Sequence, residues 1–184
     1  NFGVNVNIQF DGTAFNGVHA TPQVGPALIG NASDFWNPVS NPNPVGGDTN
    51  RITGSIVGLV DTIGIGSSFN LSYLGDQDFN SQGGNPFFGS GSPAENLMQA
   101  ALRITGSRTG TVSLTGLSAG TYDLYLYSCA GNTLQTSVSR FAANGSYDAA
   151  GPNSGNNVLT EKGNYVHLTP VVSASGVLTI SLTG

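Results

Sequence analysis

Side chains able to act as acid, base, nucleophile or metal ligand are sparse in this chain: two histidines, ten carboxylates and one cysteine in 184 residues. His19 lies in a Pro- and Gly-rich stretch. His167 alternates with Val166 and Leu168, the position of an outward-facing strand residue rather than of a general base. The carboxylates are scattered, and no two single themselves out as an acid/base pair. No nucleophile elbow of the Gly-x-Ser-x-Gly type is expected. The residue types thus point away from an enzyme, and Asp123, His19 and His167 are expected to affect stability at most.

The binding chemistry is richer. Asp76, Asp78 and Asn80 in "GDQDFN" offer oxygen ligands at every second position, a spacing at which a turning loop converges on calcium. An EF-hand is excluded, since Ser81 and Phe87 stand where a glycine and a glutamate are required. Structural calcium is the only cofactor that the sequence suggests. In the segment 121–129, Asp123, Tyr125 and Tyr127 share one face and Tyr122, Leu124 and Leu126 the other. Tyrosines beside an aspartate can stack on a sugar ring, so Tyr125 and Tyr127, with the lone Trp36, are the candidate sugar platform. Three sequons, at Asn31, Asn70 and Asn144, are candidate glycosylation sites; Asn31 and Asn144 fall in expected loops and Asn70 in an expected strand.

Composition narrows the partners. Only 8% of residues are charged, the net charge is -5, and the cations are Arg51, Arg103, Arg108, Arg140 and Lys162, which leaves no basic stripe for nucleic acid. With 38% hydrophobic residues the chain can build a core, and disorder is not expected. No apolar run approaches the roughly 18 residues of a membrane helix, so no membrane insertion is expected. The sequence starts without Met or a signal segment, which suggests a processed chain that is secreted, extracellular or displayed at a cell surface. Cys129 stands alone and reads as a buried thiol.

The elements that must position these groups are strands. "NFGVNVNIQF" puts Phe2, Val4, Val6, Ile8 and Phe10 on one parity and polar or small residues on the other, an amphipathic strand at the first residues of the chain. Further strands are expected over 51–60, 68–74, 110–114, 121–129, 135–142, 164–169 and 177–182, separated by Gly-, Asn- and Ser-rich turns. "SPAENLMQAAL" is the one helical turn expected, with Ser92 as cap, Pro93 at the first position and Glu95 three residues after Ser92. The expectation is all-β: a single antiparallel β-sandwich of eight to ten strands over 1–184, jelly-roll-like. Its expected core contains Phe10, Val57, Leu59, Leu114, Leu124, Leu126, Val166 and Leu178.

"TGTVSLTGLSAGTYDLYLYSCAG" resembles the central hairpin of a secreted β-sandwich module found in bacterial PEP-CTERM-type surface proteins, and "NYVHLTPVVSASGVLTISLTG" is similar to its closing hairpin. The "FWN" of Phe35–Asn37 is similar to that module's upstream Trp-Asn pair. The resemblance implies a secreted β-sandwich and carries no activity with it. Such modules run on into a further strand where this sequence stops at Gly184, which suggests a closing strand supplied from elsewhere. Two functions follow as expectations. The first is a structural subunit of an extracellular polymer or fibril, built head-to-tail from copies of itself by exchange of residues 1–12 as a donor strand, with Phe2, Val4, Val6, Ile8 and Phe10 as the contact. The second is a non-catalytic carbohydrate-binding or adhesion module, with glycans bound or attached.

Overall fold

The computed structural model describes residues 4–10, 25, 28–39, 43–45, 48–80, 100–128, 138–151 and 159–184. Among them are fifteen strands and no helix. In chain order the first eight are β1 (Asn7–Phe10), β2 (Trp36–Val39), β3 (Asn43–Val45), β4 (Asp48–Ile56), β5 (Asn70–Gly75), β6 (Gln77–Asn80), β7 (Ala100–Arg103) and β8 (Thr109–Thr115). They are followed by β9 (Gly120–Thr121), β10 (Leu124–Tyr127), β11 (Ser139–Ala143), β12 (Ser146–Ala150), β13 (Tyr165–Leu168), β14 (Val171–Val172) and β15 (Leu178–Thr183).

Seven strands form one antiparallel sheet in the order β12-β11-β15-β8-β5-β4-β3. Alternation decides its inner face: Leu71 and Tyr73 of β5, Val112 of β8, Phe141 and Ala143 of β11, and Leu178 and Ile180 of β15 are buried, whereas Ser72 and Thr179 are exposed. The remaining strands pair two by two, β1 with β2, β6 with β7, β9 with β14 and β10 with β13. Val39, Val166, Leu168 and Val172 from these pairs join the same buried cluster as the large sheet. A sheet with one apolar face covered by a second β layer is a sandwich-like, all-β architecture. Close approach matters at Gly54, where a Cβ would meet the Tyr73 ring at 2.5 Å. At the β11–β12 hairpin Asn144 (φ 40°) and Gly145 (φ 91°) supply the two left-handed residues of a tight two-residue turn.

Several expectations need correction. The amphipathic alternation from Phe2 to Phe10 becomes a strand only over Asn7–Phe10; Val4–Val6 are not in a strand and Phe2 lies outside the described residues. That strand pairs parallel with β2 of its own chain, Asn7 opposite Trp36 and Phe10 opposite Val39. Most of the helical turn falls on residues not described, but its last three, Ala100–Leu102, are extended in β7, where the ladder to β6 overrides helix propensity. Strands β2, β6 and β12 occupy stretches expected to be loops. Val57 is 83% exposed, because the inward parity of β4 is Ile52–Gly54–Ile56 and the chain then bends at Gly58 (φ 72°). Leu59, Val166 and Leu178 are buried as expected, and Phe10, Leu114, Leu124 and Leu126 pack half-buried against them. The last strand is no open edge: β15 lies between β11 and β8.

Candidate functional site

The β10–β13 pair carries the densest group of chemistry-bearing side chains. Its register sets Leu124 opposite Leu168 and Leu126 opposite Val166 on the core side. The other parity then sets Tyr125 opposite His167 and Tyr127 opposite Tyr165 on the far side. Tyr125 and His167 stack with ring centroids 4.5 Å apart and planes inclined by 2°. Tyr165 tilts against both tyrosines, at 6.4 Å from Tyr125 and 6.2 Å from Tyr127. Asp123, whose side chain is 72% exposed, accepts from or pairs with His167 Nε2 at 2.8 Å, so the imidazole is held between a carboxylate and a phenol ring. The Tyr127 hydroxyl accepts the Leu28 N–H at 3.0 Å, and burial pushes that phenol above its ordinary pKa, with the Leu28 N–H working in the opposite sense.

This face can offer ring edges, phenol hydroxyls and the exposed carboxylate of Asp123 to a polyol. Tyr125 and Tyr127 come together as the sequence suggested. Tyr165 and His167 were missed as their neighbours, although the alternation of "NYVHL" mirrors that of "DLYLY" and marks the same outward parity. Trp36 does not belong here. It is 6% exposed and donates its indole N–H to the Gly25 carbonyl at 3.0 Å, so it is a core anchor and no sugar platform.

Asp76 is likewise structural. It is 4% exposed and accepts from Thr105 N at 2.6 Å and Thr105 Oγ1 at 2.7 Å, while its other oxygen faces Arg51 at 3.0 Å and Arg108 at 3.4 Å. Burial by itself would raise its pKa. The Thr105 and Arg108 hydrogen bonds and the Arg51 charge outweigh that and hold it below the ordinary carboxylate range. Asp78 and Asn80, the other two residues of the expected calcium set, follow on the extended strand β6. Two guanidinium groups thus lie against the Asp76 carboxylate.

The sequons separate by what their side chains already do. Asn144 Nδ2 donates to Val171 O at 3.2 Å and Val177 O at 3.0 Å, and its Oδ1 accepts from Thr179 N. Asn70 Oδ1 accepts the Gly58 N–H at 2.9 Å from within β5. Asn31, Ala32 and Ser33 are all exposed; Asn144 is exposed too, but its side-chain amide is already bonded to Val171 O and Val177 O. His19 and Cys129 lie outside the described residues. One spelling the sequence reading passed over, Gly116-Leu117-Ser118-Ala119-Gly120, matches the nucleophile-elbow pattern, but it joins β8 to β9 with no helix following.

A second region is apolar. Val4, Ile63 and Ile65 are 54%, 76% and 60% exposed. The Thr62 N–H donates to Asn5 O at 3.0 Å, which sets the start of β1 beside the turn that carries both isoleucines. That turn is held rigid, because Asp61 Oδ1 accepts from Ile63 N at 3.1 Å and Ile65 N at 2.8 Å. Beyond Asn5 the chain turns inward: Val6, Ile8 and Phe10 pack half-buried against the core, with Phe10 edge-on to Tyr73 at 5.2 Å.

Compared with family models, curated proteins and solved structures, the chain finds no match in any of the three. Among the described residues no helix is long and apolar enough to cross a membrane, and no three His, Cys, Asp or Glu residues gather as a metal-holding group.

Proposed function

We propose that this chain is a structural subunit of an extracellular assembly, in which β1 is exchanged between neighbouring copies. The observation that supports this reading is the way β1 docks. It lies outside the seven-stranded sheet and pairs along β2 over four residues, yet its Ile8 and Phe10, with Val6 just before it, pack half-buried against the core. In a single chain the strand fills its own groove; exchange would make the same contacts with a neighbour's β2 at little net cost. Half-burying three such side chains is worth on the order of 2–5 kcal/mol, below the roughly 5–15 kcal/mol of a typical domain, so release of β1 need not unfold the rest. The sequence between β1 and the described Gly25 contains Gly12, Gly17 and Pro22, residues that punctuate rather than extend a strand. Val4, Ile63 and Ile65 border the strand with exposed aliphatic surface of the kind that marks a contact.

The test is removal of residues 1–10. Folded, assembly-incompetent monomers that an added 1–10 peptide restabilises are the expected outcome. A wild-type chain that stays monomeric at every concentration, and after refolding at high concentration, contradicts the reading.

The Asp123–His167–Tyr125 face supports a second reading, a non-catalytic carbohydrate-binding or adhesion surface. Tyr125→Ala should then weaken retention on immobilised polysaccharide while circular dichroism stays unchanged; retention that is equal in wild type and variant removes this face from consideration. Glycans attached at Asn31 are compatible with either reading. They would appear as mass above 18.7 kDa that is lost in Asn31→Gln.

A further inference from the structure

We infer that the Asp123–His167–Tyr125 face discriminates glycans by charge, taking uncharged polysaccharide and turning away uronate chains. The inference rests on the carbohydrate-binding reading of this face and adds the class of ligand. Its basis is the whereabouts of every cation in the chain, of which there are five. Arg51 and Arg108 converge on Asp76. Arg103 ends β7, and Arg140 lies on β11 at the parity opposite the buried Phe141, on the outer side of the large sheet.

Lys162 is the one cation close in sequence to the aromatic strand, in the turn before Tyr165, and it is spent on Asp148 at 3.0 Å. The Asp148 carboxyl is held below its ordinary pKa by the Ala149 N–H first and by Lys162 second, so the carboxylate that Lys162 faces is ionised. Among the described residues the face carries the Asp123 carboxylate, three phenols and one imidazole that already leans on Asp123.

Recognition of a carboxylated sugar calls for a guanidinium or ammonium group to pair with it. Here a uronate would instead meet a carboxylate on a chain of net charge -5. A neutral polyol meets no such opposition, since hydroxyls donate to Asp123 and to the phenol oxygens. Like-charge repulsion across an exposed site is worth roughly a 3- to 10-fold loss at low salt and fades as the Debye length shrinks.

The experiment measures retention of the purified full chain on insoluble cellulose, chitin and cross-linked polygalacturonate, at low and at physiological ionic strength. Retention on cellulose or chitin with ~5-fold less on polygalacturonate at low salt is expected, the gap narrowing with salt and closing in Asp123→Asn. Equal or stronger retention on polygalacturonate overturns the charge discrimination alone. A preference that persists unchanged in Asp123→Asn also overturns it, because the net charge rather than this face would then be the cause. Retention on none of the three sinks the inference together with the binding reading beneath it.

Discussion

Strands β1 and β15 carry the same kind of sequence and meet opposite fates. "VNVNIQF" and "VLTISL" both alternate apolar with polar residues over a comparable length. β15 lies between β11 and β8, six residues paired on the β8 side, with Leu178 and Ile180 at 2% and 3% exposure. β1 keeps four residues of pairing with β2, and its apolar residues are half-buried or, at Val4, exposed. Period-two alternation thus marks a segment that can pair as a strand, but in the first segment only Asn7–Phe10 does so, and there Gln9 is the most buried residue. It does not specify how many neighbours the strand will have. That difference is energetic, and the proposed exchange of β1 rests on it.

The sharpest way to break this comparison is to cut the same side-chain atoms from both strands. Ile180→Ala should cost about 3–4 kcal/mol, a buried truncation with its cavity, whereas Ile8→Ala should cost about 1 kcal/mol. Urea unfolding midpoints read both, and equal losses would place β1 in the stability core. A loss of similar size to the first is expected for Asp76→Ala, about 2–4 kcal/mol, because it leaves Arg51, 15% exposed, without its carboxylate. Asp76 also sets a pH dependence. Its folded pKa lies below the ordinary 3.8, so its stabilising contribution is present above that value and is lost as pH falls through the folded pKa. Wild type should therefore lose stability in acid below about pH 4 more steeply than Asp76→Asn, by denaturant titration at fixed pH.

Smaller effects sharpen the comparison. Asn144→Ala removes the three hydrogen bonds that tie the β11–β12 turn to Val171, Val177 and Thr179. Its expected cost is about 1–2 kcal/mol, partly offset by solvent reaching the exposed turn. The double change Ile63→Ser, Ile65→Ser should leave stability within about 0.5 kcal/mol, since both residues are exposed, yet lower self-association in sedimentation velocity. A loss of fold in that variant would show that the turn supports the domain rather than a neighbour.

Much of the architecture was legible in the sequence because it depends on local parity: β5, β8, β11, β13 and β15 fall where alternation and turn residues put them. What escaped depends on contacts distant in sequence. Pro38 and Asn37 make β2 read as loop, whereas the pairing with β1 and the Asn37 side chain, bonded to Asn7 O and Val60 O, help hold it extended. Asp76 reads as a calcium ligand until Arg51 and Arg108, distant in sequence, arrive beside it. Trp36 reads as an exposed platform until Gly25 supplies its carbonyl. The aromatic face was half legible: Tyr125 and Tyr127 show their parity in one strand, but the stacking of His167 on Tyr125 requires the register of two.

The exchange of β1 is tested most directly by asking whether Gln9 of one copy meets Pro38 of another, since these two residues are opposite in the β1–β2 register. Chains carrying Gln9→Cys and chains carrying Pro38→Cys, both with Cys129→Ser, are mixed, refolded together at high concentration and oxidised. Mass spectrometry then scores the disulfide-linked product. Exchange predicts a heterodimer joining position 9 of one chain to position 38 of the other. Its absence, with a chain bearing both cysteines closing the bridge only within itself, would contradict the account.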